Sequence, residues 1–341
     1  MNIIIDPGGR TAIYRQLVNQ VEQGIKDASI KPGEMLPSMN DLAAKYDISK
    51  ETVKKAYGIL VKRGEIVPKQ GKGFFVADPE GREYKRVLII FDKFSVYKQI
   101  TFNAFAERLG HHADITILNH NQSPDLLEFF LDNNLDQFDY YVISPHFALD
   151  PDTQQRVVHI LKRIPYRKLI MLDHLQEGFS GGFGAVYQDF ENDIYHGLQE
   201  FDKDSKRARV LRVITLPTSL YGCIICKGVK RFAREFNHRV EFLGSAPEDI
   251  HRGDVFLVLN SQLDSGLVEL VRNINARNLE IGKDVYIVSY NEYDMNELVL
   301  GGLTTVSTDF PEMGRLAADM ILSGNLTRIH CPFRVTRRKT F

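Results

Sequence analysis

The sequence predicts a small α+β head followed by a larger α/β domain of two lobes with parallel sheets. Three observations support this division. Residues 1–77 hold helical periodicities that end in a glycine-rich hairpin, residues 78–85 form a polar stretch with proline and glycine, and residues 86–341 alternate short apolar runs with amphipathic helices. A chain of 341 residues, 43% of them hydrophobic, is long enough for two or three domains.

Two short helices joined by a tight turn form the centre of the predicted head. Ser38 precedes Asp41 by three residues, which is the spacing of a capping box at the start of the first helix. Ser49 is placed to cap a second helix that runs to about Arg63 and ends at Gly64. The apolar residues of this second helix recur at three- and four-residue spacing, and its outer face keeps Lys50, Glu51, Lys54 and Lys55. Such a helix pair is the arrangement that enters the major groove of DNA.

The segments on either side of the helix pair complete a winged helix-turn-helix. Upstream, Thr11 to Ala28 repeats an apolar residue every fourth position and predicts an amphipathic helix. Downstream, two short apolar runs flank Lys69-Gln70-Gly71-Lys72-Gly73, which predicts a hairpin with glycines at the turn. Residues 1–76 hold 12 Lys or Arg against 8 Asp or Glu, so this part carries +4 and the remainder −5 of a net charge of −1. We read the basic cluster with its helix spacing as a DNA-binding surface and not as a solvated face.

The motifs Leu36-Pro37-Ser38, Ile48 to Ala56 and Gln70-Gly71-Lys72-Gly73 resemble the winged helix-turn-helix of GntR-type transcription regulators over about residues 7–77. The family commonly has Arg at positions 40, 50 and 54, where this chain has Asn40, Lys50 and Lys54. Because Lys lacks the bidentate fork of Arg, a preference for guanine is not carried over. The resemblance implies DNA contacts by Ser38, Asn40, Ser49, Lys50, Thr52, Lys54, Lys55, Gln70, Gly71 and Lys72.

Cysteine usage and hydropathy indicate the compartment. Cys223, Cys226 and Cys331 are too few for a disulfide framework and suggest a reducing environment. No apolar run approaches the ~18 residues of a membrane span, and the N-terminal apolar run is too short for a signal peptide. We therefore expect a cytoplasmic protein.

From Arg86 onward, apolar strands separated by helices predict parallel sheets covered on both faces. The helices are expected near residues 98–109, 124–133, 152–163, 191–201, 220–236, 265–276 and 311–322. The eight predicted strands are Val87 to Phe91, Ile115 to Leu118, Tyr140 to Ser144, Lys168 to Leu172, Val210 to Thr215, Val240 to Leu243, Val255 to Leu259 and Val285 to Ser289.

The order of five motifs across residues 86–341 resembles the effector domain of LacI-type repressors, which has a periplasmic-binding-protein-like fold. The motifs are Val87 to Phe91, Val186 to Phe190, Asp254 to Asn260, Val288 to Glu292 and Thr305 to Gly314. The resemblance implies one lobe of about residues 86–188 with 293–323, and a second of about 189–291 with 327–341. A GntR-type head on a LacI-type sensor is similar to regulators of the arabinose-repressor type, which implies release of DNA on binding a monosaccharide such as L-arabinose, L-fucose or a relative.

Ligands of open parallel sheets bind beyond the carboxyl ends of the strands, here between the lobes. A sugar needs carboxylates and amides for its hydroxyls and an aromatic ring for its C–H face. For each residue alone, capping of a helix or a loop is the more common role, so the prediction rests on their convergence. Lys227 is included because LacI-type domains usually carry an Arg shortly before the corresponding glycine. The predicted ligand-binding residues are Phe94, Tyr97, His146, Asp173, His174, Asp189, Lys227, Asn260, Asn291 and Glu292.

Three further patterns do not indicate chemistry. Cys223 and Cys226 have the spacing of a redox or zinc half-site, but no second pair accompanies them. The glycines of residues 178–184 lack the Lys-Ser/Thr of a phosphate loop. Asp173-His174 has no accompanying nucleophile, and adjacent residues on a strand end are expected to point to opposite sides. The sequence therefore predicts no catalytic residue, no metal site and no cofactor.

The sequence predicts a homodimeric, sequence-specific repressor that binds a palindromic operator and is released by a monosaccharide bound between its lobes. An alternative is a GntR-type head fused to a pyridoxal-phosphate-dependent or sugar-processing enzyme domain. The first form of that alternative would need a larger C-terminal region and a Schiff-base lysine in a recognisable context.

Overall fold

The computed structural model describes residues 4–6, 8–9, 11–27, 29–69, 71–77, 84–201, 209–215, 220–259 and 265–341. The chain divides into two compact units, Met1–Glu83 and Tyr84–Phe341. None of the described helices combines the length and the apolar character that a membrane span requires. Residues 78–83 of the predicted linker (78–85) lie outside the described residues. The last residue of that linker, Lys85, is the first residue of a strand.

The first unit is a three-helix head with a two-stranded hairpin, which confirms the predicted winged helix-turn-helix. Its elements are α1 (Ile13–Lys26), α2 (Met39–Tyr46), α3 (Lys50–Lys62), β1 (Ile66–Lys69) and β2 (Gly73–Val76). Apolar residues from all five elements are buried in one cluster, as the helical spacing of the sequence requires. Its members include Leu17, Val21, Leu42, Val53, Tyr57, Leu60, Ile66 and Val76.

The second unit contains two six-stranded sheets with helices on their faces. The chain first forms β3 (Lys85–Phe91), α4 (Val96–Leu109), β4 (Ala113–Asn119), α5 (Pro124–Asn134), β5 (Tyr140–Ile143), α6 (Pro151–Leu161), β6 (Leu169–Asp173) and β7 (Gly184–Tyr187). It continues through α7 (Phe190–Gln199), β8 (Val210–Ile214), α8 (Gly222–Glu235), β9 (Val240–Leu243), β10 (Asp254–Val258), α9 (Ser265–Ala276), β11 (Tyr286–Tyr290) and β12 (Thr304–Thr308). The last elements are α10 (Phe310–Ser323), β13 (Arg328–His330) and β14 (Phe333–Thr336).

The strand order of the first sheet is β13-β7-β6-β5-β3-β4, and that of the second is β14-β12-β11-β10-β8-β9. All neighbouring strands are parallel except β12 and β14, which pair antiparallel. We call the two halves built on these sheets the first lobe and the second lobe. The predicted two-lobed, periplasmic-binding-protein-like architecture is confirmed.

The strands are apolar throughout because helices cover both faces of each sheet. In β3, Val87 and Ile89 face one buried cluster, and Leu88 and Ile90 face another on the opposite side. Phe256 of β10 is likewise separated from its neighbours in the strand, which belong to a different cluster. Alternate residues of a strand point to opposite faces, so a strand buried on both faces must be apolar at every position.

The chain crosses between the lobes three times, and the predicted lobe boundaries are wrong at two of these crossings. Residues 293–323 are predicted to belong to the first lobe, but β12 lies in the second sheet. Residues 327–341 are predicted to belong to the second lobe, but β13 lies in the first sheet. Within residues 293–323, only α10 packs on the first lobe, where it lies against α4. At Gly314 the two helices approach so closely that an added Cβ would collide with the Thr101 carbonyl oxygen. The eight predicted strands also omit β7, β12, β13 and β14.

Candidate DNA-binding face and interlobe cleft

The caps of the helix pair in the head are formed by the two predicted serines. Ser38 Oγ accepts a hydrogen bond from the backbone N–H of Asp41 at 3.1 Å and donates one to the Asp41 carboxylate at 2.7 Å. Ser49 Oγ accepts from the backbone N–H of Thr52 at 3.1 Å and lies 2.8 Å from the Thr52 hydroxyl. Asp47 adopts the left-handed conformation between the helices, with φ of 51°. These bonds use atoms of Ser38 and Ser49 that were predicted to contact DNA, so both residues also hold the turn that presents α3.

The outer face of α3 carries exposed cations. Lys50 and Lys54 are exposed, and Lys54 lies 3.5 Å from Glu51 one turn back. Lys55 is exposed as well, but its ammonium lies 4.1 Å from the ring centroid of Tyr14 on α1. Lys50 and Lys54 are four residues apart and therefore share one side of the helix. This side is the candidate recognition face.

The wing and the start of α2 place the remaining predicted DNA contacts. Gly71 has φ of 73°, a conformation that favours glycine, and Lys72 follows it in the exposed turn between β1 and β2. Asn40 is exposed in the first turn of α2. Gln70 lies outside the described residues.

We expect Lys54→Ala to weaken binding to operator DNA and to random DNA by similar factors, because an exposed lysine contacts phosphates as a point charge. The slope of log affinity against log salt should fall by about 0.9, the value for one lost phosphate contact. Fluorescence anisotropy over a salt series measures both. Lys62→Ala, at the far end of the same helix, is the control and should change neither quantity. A loss confined to the operator would show instead that Lys54 reads a base.

In the second unit, three buried polar residues and the half-buried His146 meet at the carboxyl ends of β3, β5 and β6. The Lys98 ammonium lies 3.0 Å from Asp92 Oδ1 and 3.3 Å from Ser144 Oγ, and it forms a short ion pair with Asp173. His146 Nε2 lies 2.9 Å from Asp173 Oδ2. Parallel strands end at the same edge of their sheet, which brings residues from three loops and α4 together. We call Asp92, Lys98, His146 and Asp173 the cleft cluster.

The charges of the cleft cluster compensate for its burial. Burial opposes ionisation of both carboxyl groups, but Lys98 and His146 outweigh it and hold the pKa values of Asp92 and Asp173 below their usual range. Burial also opposes the charge of Lys98, yet the two carboxylates raise the pKa of its ammonium. Both carboxylates and the ammonium are therefore charged at neutral pH.

Two histidines next to the cleft cluster, the buried His120 and the half-buried His174, are neutral. Burial lowers the pKa of His120 to about 4 and that of His174 to about 3. His120 Nε2 lies 2.9 Å from the Ser144 carbonyl oxygen, so Nε2 must carry the proton and donate it. The neutral ring then has its Nδ1 free to accept a hydrogen bond.

Aromatic rings from both lobes pack beside the cleft cluster. Phe190 and Tyr221 stack with centroids 4.9 Å apart and planes 16° from parallel. The ring of Tyr221 also lies 4.6 Å from that of His146 and 4.7 Å from that of His174. Both Phe190 and Tyr221 pack in the core of the second lobe, whereas the histidines follow strands of the first. The cleft therefore combines charged, amide and aromatic groups, the set that hydroxylated ligands require.

A chain of hydrogen bonds crosses from one lobe to the other at Gln188. Its Nε2 donates a short hydrogen bond to Asp173 Oδ1, and its Oε1 accepts from Thr308 Oγ1 at 2.6 Å. Asp173 ends β6 of the first sheet, and Thr308 ends β12 of the second. Gln188 itself sits at the crossing between β7 and α7. A second bridge joins His330 Nε2 of β13 to Asp193 Oδ1 of α7 at 2.7 Å.

The structure brings some of the predicted ligand residues together. His146, Asp173 and His174 lie in the cleft, and Asp173 and His174 share neighbours although adjacent strand residues were expected to diverge. Asp173 has φ of 79°, which turns the chain at the end of β6. Tyr97 stacks on Phe310 at 5.1 Å.

Asn291 follows β11 at the carboxyl edge of the second sheet. Its Oδ1 is buried, with no hydrogen-bond partner in the part of the chain that the structure describes. This atom is therefore open to a donor group of a ligand.

Other predicted ligand residues have structural roles. Asp189 caps α7, accepting from the backbone and side-chain amides of Asn192 at 3.2 and 2.6 Å. Glu292 accepts from Arg338 at 2.8 and 3.1 Å and from Thr305, so its carboxylate fastens the C-terminal segment to the second sheet.

Two further predicted residues are exposed, and a third is not described. Phe94 is 78% exposed. Lys227 is exposed on α8 and pairs with no carboxylate among the described residues. Asn260 lies outside the described residues.

Asp92, Lys98, Gln188 and Tyr221 are not among the predicted ligand-binding residues. Asp92 directly follows β3, the position that singled out Asp173, and could have been found by the same signal. Lys98 lies in the first turn of a helix, where a lysine normally faces solvent. Gln188 and Tyr221 precede helices and carry no local signature.

Asp92, His146 and Asp173 each offer one ligand atom, all within 4.8 Å of one another, as a metal site would require. The Lys98 ammonium already lies between the two carboxylates. In the structure, the cluster is therefore an ion-pair network centred on Lys98.

Comparison with known proteins identifies both parts of the chain. The profile of bacterial regulatory proteins of the gntR family matches residues 13–76, and that of the periplasmic binding protein-like domain matches residues 254–335. The chain is a GntR-type head on a periplasmic-binding-protein-like domain. It is therefore a DNA-binding transcription regulator. The alternative of a fused enzyme domain finds no support in these matches.

Two curated relatives and one solved structure show how far the similarity extends. The uncharacterised regulator YurK of Bacillus subtilis is 33% identical over 121 residues, which is 36% of this chain and only 46% of the relative. The arabinose metabolism transcriptional repressor of Halalkalibacterium halodurans is 24% identical over 350 residues, covering 91% of this chain and 88% of the relative. A Lac repressor dimer bound to operator and the anti-inducer ONPF superposes with a TM-score of 0.56 at 15% identity, covering 76% of this chain and 95% of that one. This structural likeness shows the fold.

Proposed function

We propose that this regulator represses a carbohydrate-utilisation operon as a homodimer on a palindromic operator, and that a monosaccharide bound between the lobes releases it from DNA. The observation that carries the proposal is the cleft, where the cleft cluster faces the stacked rings of Phe190 and Tyr221 from the other lobe. Charged and amide groups can bind sugar hydroxyls, while an aromatic face can cover the C–H side of the ring.

The relatives support this assignment. The relative that aligns with 91% of this chain is named for repression of arabinose metabolism. The Lac repressor of the same fold is a dimer bound to an operator and to a small molecule. By analogy, the effector of this chain is L-arabinose, L-fucose or a related monosaccharide.

The release of DNA requires that the ligand bind two arrangements of the lobes with different affinity. The Gln188 bridge provides such a difference. A ligand that hydrogen-bonds to Asp173 competes with Gln188 for the same carboxylate and so changes what holds the two lobes together. In a dimer, that change would alter how the two heads meet their half-sites, which lie about one helical turn or roughly 34 Å apart.

The test is fluorescence anisotropy on an operator selected from a random-sequence library, with and without each member of a monosaccharide panel. One sugar is expected to weaken operator binding by about 5- to 150-fold, the usual range of allosteric coupling. The Asp173→Asn variant should fail to respond to that sugar. If no sugar in a panel of pentoses, hexoses and deoxyhexoses changes operator affinity, the proposal is wrong.

A further inference from the structure

We infer that the cleft takes an uncharged sugar and discriminates against the phosphate ester of the same sugar. This inference rests on the proposed function and adds the charge class of the effector. Two independent features of the cleft carry it: the balance of charge, and the kind of hydrogen-bonding atoms that are left without a partner.

The charge of the cleft is not positive. Asp92 and Asp173 contribute two negative charges and Lys98 one positive charge, while His120 and His174 are neutral because burial lowers their pKa values. The sum is −1 with a neutral His146 and zero with a protonated one. Within the described residues, Lys98 is the only Lys or Arg that contacts the cleft cluster, and both carboxylates already hold it. Among the described residues, a phosphate dianion would therefore find no cation there that is not already held by carboxylates.

The arginines around the carboxyl ends of the second sheet do not change this balance. Arg338 is bound to Glu292, Arg334 lies 3.0 Å from Asp309, and Arg231 is paired with Glu191 at 3.6 Å. Lys93 follows β3 but is exposed. Phosphate recognition normally depends on Arg forks, on lysines or on helix N-termini with open amides.

Two unpartnered buried atoms at the carboxyl ends of the two sheets require donors. His120 Nδ1 and Asn291 Oδ1 are acceptors with no hydrogen-bond partner among the described residues. A sugar hydroxyl can donate to each of them. The phosphate group of a sugar phosphate offers only acceptor oxygens, so a phosphate that replaces a hydroxyl at either of these atoms leaves that acceptor unsatisfied.

The test measures the affinity of the full chain for matched pairs by isothermal titration calorimetry, after a thermal-shift screen has found the binders. The pairs are D-ribose with ribose 5-phosphate, D-glucose with glucose 6-phosphate and D-arabinose with arabinose 5-phosphate, and L-arabinose and L-fucose are added as free sugars. At least one free sugar should bind. The affinity of each of the three sugar phosphates should be at least 100-fold lower than that of the free sugar that binds most tightly.

Asp92→Asn tests whether charge is the cause, because it removes one negative charge with little change in shape. Its ratio of phosphate to free-sugar affinity should rise at least tenfold, and an unchanged ratio would overturn the inference. Lys93→Gln is the matched control at the same loop and should leave the ratio unchanged.

Asn291→Ala tests the second feature, and should weaken binding of the free sugar and not binding of the sugar phosphate. The melting temperature of each variant without ligand verifies that it folds.

The failures of the two proposals are distinguishable. A phosphate ester that binds as tightly as the free sugar overturns the inference about charge and leaves a monosaccharide-derived effector in place. If neither the free sugars nor the phosphates bind, the proposed function fails and the inference fails with it.

Discussion

The Lys98→Met variant is expected to lose about 3–5 kcal/mol of the free energy of unfolding of the two-lobed unit at pH 7, the usual cost of breaking a buried ion pair. Asp92 and Asp173 are nearly inaccessible to solvent and Lys98 is their shared counter-charge. Methionine fills a similar volume without charge, so two carboxylates would remain buried within one small cluster. The measurement is urea unfolding followed by circular dichroism.

The pH dependence of this loss distinguishes electrostatics from packing. In the wild type the pKa values of both carboxyls lie below the value of 3.8 for an exposed Asp, so their contribution to stability is present above that pH and is lost as pH falls through the folded-state values. Without Lys98, burial should raise these pKa values above 3.8, and the folded variant then gains stability relative to the wild type as pH falls from 7 to 5.

The destabilisation caused by Lys98→Met should therefore be smaller at pH 5 than at pH 7. Lys93→Met, on the exposed loop before α4, is the control and should change stability by less than about 0.5 kcal/mol. A loss that is the same at both pH values would mean that the ammonium acts through its shape alone.

The fold could be predicted from the sequence wherever local chemistry decides the structure. Ser38 and Ser49 cap α2 and α3 because a serine hydroxyl three residues before a free amide can accept from it, whatever the rest of the chain does. The apolar runs of β3 and β10 predict strands covered on both faces. These features depend on neighbours in the sequence.

The lobe boundaries could not be predicted in the same way. β12 and β13 are short strands that either sheet could accept, and what decides between them is packing between distant elements. Gly314 lets α10 lie against α4, which draws the chain back to the first lobe directly after β12. No pattern within residues 304–330 reports that contact.

The site shows the same division. His146, Asp173 and His174 were found because polar residues after parallel strands meet at one edge of the sheet. Asp189 and Glu292 satisfy the same rule, yet one caps a helix and the other pairs with Arg338, because the rule does not report which partners the fold supplies. Lys98 was missed because its burial depends on two carboxylates that are distant in sequence.

Replacing Gln188 with leucine is expected to separate sugar binding from the release of DNA. Gln188 is buried and joins Asp173 of the first lobe to Thr308 of the second through its side-chain amide. Leucine has a similar size and no hydrogen-bonding atoms, so the sugar would no longer displace a bond that holds the lobes. The sugar should still raise the melting temperature, while its effect on operator affinity should fall from the expected 5- to 150-fold to less than about twofold.

A matched control exists in the first lobe, where Gln176 is equally buried but donates at 2.6 Å to Gln154 of α6 in the same lobe. Gln176→Leu and Gln188→Leu should each cost about 1–3 kcal/mol of stability, because each leaves a buried acceptor without its donor. Only Gln188→Leu removes a hydrogen bond that spans the lobes. Operator release that survives in Gln188→Leu, or that is lost equally in Gln176→Leu, would show that the coupling runs through general stability and not through this bridge.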